Sequence, residues 1–135
     1  MHCYAAGFES WLKATPGLVQ YSQSELVDIY GDQEDGGASE SQILNLISDL
    51  DLAYTHWHQG ATQLTEELVA AGLKKSHVVL IYKYNYVNSH AVVIYGVSHA
   101  NGVAQISYMD PWVGSFKWAN LSQFNGKPWL LAWKR

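Results

Sequence analysis

Residues 77–109 read HVVLIYKYNYVNSHAVVIYGVSHANGVAQISYM, and the period of this stretch decides the fold. From residue 77 the period changes to two, which is the repeat of a strand. Strands are expected over 77–83, 90–97 and 103–109. Asn101-Gly102 between the last two is a strong tight-hairpin signal, because both residues tolerate the positive φ that such a turn demands. The same pattern continues over 115–118 and 129–133.

Upstream of this stretch the period is helical. Residues 3–14, CYAAGFESWLKA, place Phe8, Trp11 and Leu12 on one face, and Thr15-Pro16-Gly17 ends the run. Ser22 with Glu25, and Ser39 with Gln42, have the spacing of capping boxes. The first opens a helix carrying Leu26, Val27 and Tyr30. The second opens one with Ile43, Leu44, Ile47 and Leu50 facing inward. Residues 31–37 are acidic and glycine-rich and read as a surface loop, without the ligand spacing of a calcium loop. Residues 52–58 alternate like a strand. Thr62 to Gly72 reads as a helix with Leu64, Leu68 and Ala71 on its face and Gly72 as its stop. Helices first and an antiparallel sheet afterwards make an α+β fold.

Composition bounds the function. The chain has 135 residues, 48% apolar and 15% charged, enough for one cored domain spanning 1–135. A net charge of -4 argues against a nucleic-acid partner. No apolar run approaches the ~20 residues that span a bilayer, so no membrane partner is expected. No secretory signal pattern is visible, which leaves the location open. The single cysteine, Cys3, rules out an internal disulfide and a cysteine-based zinc cluster. His56 and His58 flank Trp57 on one strand face, but two imidazoles make a poor zinc site, so no metal is expected.

Three residues carry chemistry together. Cys3 opens a helix, where unpaired N–H groups and the helix dipole favour a thiolate. His90 begins a strand and can shuttle the proton. Asp110 ends the next strand and can hold the imidazole in one tautomer. If these strands pair as a hairpin, His90 and Asp110 come to the same sheet edge. Trp112, close behind Asp110, is the tryptophan expected at a substrate cleft.

These residues resemble the motifs of papain-like cysteine peptidases. Cys3-Tyr4-Ala5-Ala6 resembles the Cys-(Trp/Tyr)-Ala-(Ala/Ser) start of the catalytic helix. Ser22-Gln23-Ser24-Glu25-Leu26-Val27-Asp28 resembles the helix that follows, and Gly36-Gly37 its glycine pair. Residues 89–96, SHAVVIYG, resemble the catalytic-histidine strand. Asp110-Pro111-Trp112 is similar to the third-member motif of compact bacterial enzymes of this type, among them bacteriocin-leader peptidases and secreted effectors; papain itself has Asn there. The resemblance implies a papain-like fold and a catalytic triad of Cys3, His90 and Asp110. It implies a peptide or protein substrate, no cofactor, and a bacterial effector or toxin role with a cognate inhibitor or immunity protein as partner.

The family places an oxyanion-hole glutamine about six residues before the nucleophile. Only Met1 and His2 precede Cys3 here, and Gln59 or Gln63 would need an unusual geometry to substitute. A missing donor costs on the order of 10²–10³ in rate. The expectation is therefore a domain excised from a longer chain, with a catalytically dead binding module as the competing reading. Glutamine deamidation or transglutamination on the same triad is a further alternative, told from proteolysis by a gain of about one dalton. A cell-wall amidase of the NlpC type fits the Asp-Pro-Trp motif and the second helix poorly.

Overall fold

The computed structural model describes residues 3–31, 39–58, 63–83, 89–111 and 113–135; the side chains of Cys3 and of residues 56–58 fall outside that description. The acidic loop over 32–37, with Gly36-Gly37, therefore also falls outside the described residues, as does Trp112. In chain order the elements are α1 (Cys3–Lys13), α2 (Gln23–Tyr30), α3 (Glu40–Asp49), β1 (Leu52–His58), α4 (Glu66–Leu73), β2 (Val78–Lys83), β3 (Ser89–Ala100), β4 (Val103–Asp110), β5 (Ser115–Asn120) and β6 (Trp129–Lys134), with a 3-10 turn at Leu121–Phe124 before β6. The strands form one antiparallel sheet in the order β1-β6-β2-β3-β4-β5. The α+β expectation agrees with this architecture.

Local chemistry sets most of the boundaries. Both capping boxes form: Ser22 and Ser39 accept from the N–H groups of Glu25 and Gln42, whose side chains reach back to the cap N–H groups. Asn101 and Gly102 take positive φ values of 54° and 77° and close the β3–β4 hairpin with Ala100 opposite Val103. The helix over 62–72 needs correction. It starts after Thr65, which caps the N–H of Leu68, and it runs to Leu73. Gly72 does not end it. It sits buried inside it, because a Cβ there would lie 2.8 Å from Val78 Cγ2 and 3.2 Å from the Trp133 ring. Ala71 is exposed and Val69 takes the inward place. In α3, Leu46 is fully buried and Leu44 only partly so.

The sheet is covered on both faces. On one face α1, α2 and α3 bury Phe8, Trp11, Leu12, Leu26 and Ile43 against Val79, Ile81, Ala91 and Val93. On the other, α4 and the 3-10 turn pack Val69 and Phe124 against Val78, Leu80, Val92 and Ile94. This explains why β2 and the first half of β3 read as continuous apolar runs: strands covered on both sides need apolar residues on both.

Polar ties lock α1 in place. The Tyr4 hydroxyl donates to the carbonyls of Leu26 and Gly31. The Trp11 indole donates to the His77 carbonyl at 2.7 Å. The Gln23 N–H donates to the Glu9 carboxylate at 2.5 Å. Between α2 and α3, the Tyr30 hydroxyl donates to Asp49 Oδ2 at 2.7 Å. Burial first, then this bond and the Asp49 charge, push the Tyr30 hydroxyl above its ordinary value of 10.0. Burial and the charge of Asp110 push Tyr108 the same way. Folding thus favours the protonated phenols, so this stabilisation is complete below pH 10 and fades as pH rises beyond it. Urea titration is expected to show stability falling above pH 10, and Tyr30→Phe to remove part of that fall. An unchanged slope in the variant would refute the assignment to Tyr30.

Candidate active site

His90 and Asp110 meet. His90 is 5% exposed and Asp110 9%, and His90 Nε2 lies 2.9 Å from Asp110 Oδ1. A carboxylate only accepts, so the Nε2–H donates and the second ring nitrogen, Nδ1, is left as the basic one. Nδ1 is also shielded from solvent.

Simple hairpin counting does not produce this contact. The turn pairs Ala100 with Val103, and a regular ladder continued from there would set Asp110 opposite Val93, on the other face from His90. The ladder is not regular. Gly96 pairs with Ser107 but Ile94 pairs with Tyr108, so Tyr95 is an extra residue and forms a β-bulge. Beyond the bulge the parity is switched, and Val92, Ile94, Ile106 and Tyr108 all share one cluster. His90 and Asp110 fall on that same face as a diagonal cross-strand pair, within reach of two long polar side chains.

Two neighbours were not visible from the residues alone. Tyr82, the cross-strand partner of His90, sets its ring edge-on to the imidazole at 5.9 Å and also touches Phe124 at 5.0 Å. Lys117 Nζ lies 3.8 Å from Asp110 Oδ2. Only the β2–β3 and β4–β5 registers place these residues, and neither register has a local sequence signal.

Cys3 opens α1. Four residues on, Gly7 lies so close to β3 that a Cβ would come within 2.7 Å of Ala91 Cβ. Ala91 is the residue after His90. Trp11, one turn further, bonds to His77 at the opposite end of β2. Running back from Gly7, the first turn of α1 therefore heads toward the end of the sheet where β3 begins and β4 ends. The Cys3 side chain and Trp112 lie outside the described residues, as do the side chains of His56 and His58. Gln63 is exposed just before α4, whose Glu66 pairs with His99 at 2.7 Å. His99 is nine residues along β3 from His90, about 30 Å at the rise of a strand. Gln63 therefore stands away from the His90–Asp110 pair. Among the described residues no cluster of three or more His, Cys, Asp or Glu side chains has the arrangement of a metal site.

No curated protein matches the chain. A family model described as the papain-like cysteine protease AvrRpt2, peptidase family C70, matches residues 1–128. That span contains every described element up to the threshold of β6, including the helix start at Cys3 and the His90–Asp110 pair. The chain belongs to the papain-like cysteine protease AvrRpt2 family and is a cysteine peptidase.

Proposed function

We propose that the chain cleaves a peptide bond of a protein substrate through a triad of Cys3, His90 and Asp110. The observation that carries the reading is the buried His90–Asp110 hydrogen bond at the sheet end toward which α1 points its N-terminus. His90 lies on the face of the sheet opposite α1, so thiol and imidazole would meet around the end of the sheet, beyond Ser89.

The steps follow from the donor pattern. The Cys3 thiol gives its proton to His90 Nδ1, and the thiolate attacks the scissile carbonyl carbon. The Cys3 backbone N–H, unpaired within the helix at this position, stabilises the oxyanion. The C–N bond breaks and the amine leaves with the proton held by the imidazolium. A water then gives a proton to the imidazole and attacks the thioester, releasing the acid and restoring the thiol. Asp110 holds Nε2–H throughout and stabilises the imidazolium. Trp112, two residues after Asp110 in the sequence, is the residue assigned to contact the substrate. An effector or toxin setting, with a cognate inhibitor, belongs to the same reading.

The test is the rate of Cys3 alkylation by iodoacetamide as a function of pH. An ordinary thiol reacts with a midpoint near ~8.5. The expected profile keeps fast labelling well below that, and loses it in His90→Ala. Slow labelling with the ordinary midpoint in both proteins would defeat the triad and favour a dead scaffold.

A further inference from the structure

Strand β5 closes one edge of the sheet, and among the described residues no strand pairs with its outer side. Edge strands are normally blunted with charge or kept short, because free N–H and C=O groups invite another chain. This edge instead presents large aromatics. Phe116 is 72% exposed and Trp118 66%. They pair with Met109 and Ser107 and so share one sheet face, two residues apart. The β3 bulge turns Tyr95 out to join them, with its ring 5.6 Å from Phe116 in an edge-to-face contact. Lys117, between the two aromatics, points to the other face and approaches Asp110.

We propose that β5, with Phe116, Trp118 and Tyr95, is a ledge that binds an extended apolar stretch of the protein being cleaved. The inference rests on the peptidase site proposed above. Position argues for the substrate as occupant. Ser115, the first residue of β5, pairs with Asp110, so the strand starts at the sheet end that holds the catalytic pair and leads away from it, with its aromatics on the face that α1 covers. A peptidase must hold its substrate extended at the scissile bond, and the same extended chain can continue along an open edge as an added strand. The spacing agrees. Phe116 and Trp118 are about 7 Å apart along the strand, the repeat at which an extended peptide presents alternate side chains to one face. Main-chain pairing would supply register, and the aromatics would select apolar side chains.

The experiment uses the Cys3→Ala chain, which should bind without cleaving, and β-casein as an unstructured probe. Amide hydrogen exchange is followed by mass spectrometry. Casein is expected to slow exchange over 115–120 by about tenfold. In the F116S/W118S background, which alters exposed side chains only, that protection should vanish while the Cys3 labelling profile of the otherwise unmodified chain stays the same. Absence of protection at β5, or protection that persists in F116S/W118S, overturns the ledge. Protection that appears without casein and grows with protein concentration also overturns it, since the occupant would be a second copy. Casein degradation by the Cys3→Ala chain would instead refute Cys3 as nucleophile, and the exchange at β5 would still be read on the intact fraction.

Discussion

His90→Ala is expected to lower kcat/KM for β-casein cleavage by about 10⁴-fold or more, the scale on which a proton shuttle and its orientation act together. The imidazole is the only group the proposed mechanism uses both to take the thiol proton and to give it to the amine. Asp110 provides the sharper test, because its role is to accept one hydrogen bond. Asp110→Asn keeps a carbonyl oxygen where Oδ1 stands 2.9 Å from Nε2. Papain-like enzymes with asparagine at this place show that the arrangement is chemically adequate. Asp110→Asn is expected to stay within about tenfold of the parent, since only the charge contribution to one hydrogen bond is lost. Asp110→Ala frees the ring to rotate and leaves Nε2–H buried, and its activity should fall well below that of the Asn variant. Digestion rates measured across pH 5–9 would separate the cases. Retained cleavage in His90→Ala, or equal loss in both Asp110 variants, would defeat the assignment.

The second large effect is expected at Gly7. An alanine would ordinarily stabilise a helix over glycine by about 1 kcal/mol. Here the added Cβ would stand 2.7 Å from Ala91 Cβ, on a strand buried from both faces that cannot yield. Overpacking of this kind costs about 1–3 kcal/mol. The clash is therefore expected to win for Gly7→Ala, and by more for Gly7→Val. The functional consequence should exceed the loss of stability, because Gly7 is one turn from Cys3 and its contact is one residue from His90. Pushing α1 off β3 by even an ångström separates the two reactive positions. The melting temperature and the iodoacetamide rate of Cys3 should both fall. Ala91→Gly, made in the Gly7→Ala background, removes the opposing methyl and should restore the labelling rate even though glycine weakens the strand. A Gly7→Ala protein that is more stable and equally reactive would show that the helix needs no such close approach.

Much of the architecture was legible because its signals are local. Ser22 and Ser39 mark helix starts by side chains that cap N–H groups three residues on. Asn101-Gly102 marks a hairpin by its tolerance of positive φ. The change of period from 3.6 to 2 after Gly72 marks the passage from helices to sheet. Gly72 shows the limit of such signals: a glycine that stops a helix and one that lets two side chains approach it look alike in sequence, and Gly72 is the second kind.

Sequence by itself determined the α+β order, the helix starts and the hairpin turn, and it singled out Cys3, His90 and Asp110 as the three residues proposed for thiol chemistry. The tertiary structure decided whether two of those three could touch. That depended on one extra residue, Tyr95, bulged out of β3, which switches strand parity and brings His90 and Asp110 to one face. It also decided that Tyr82 borders the imidazole, that Lys117 approaches the carboxylate, and that Phe116 and Trp118 stand in solvent rather than in the core. The physical reason is common to all of these. Caps, turns and periods are made by residues a few positions apart. The face a strand presents is set by its register against neighbours far away in the chain, and a single bulge reverses it.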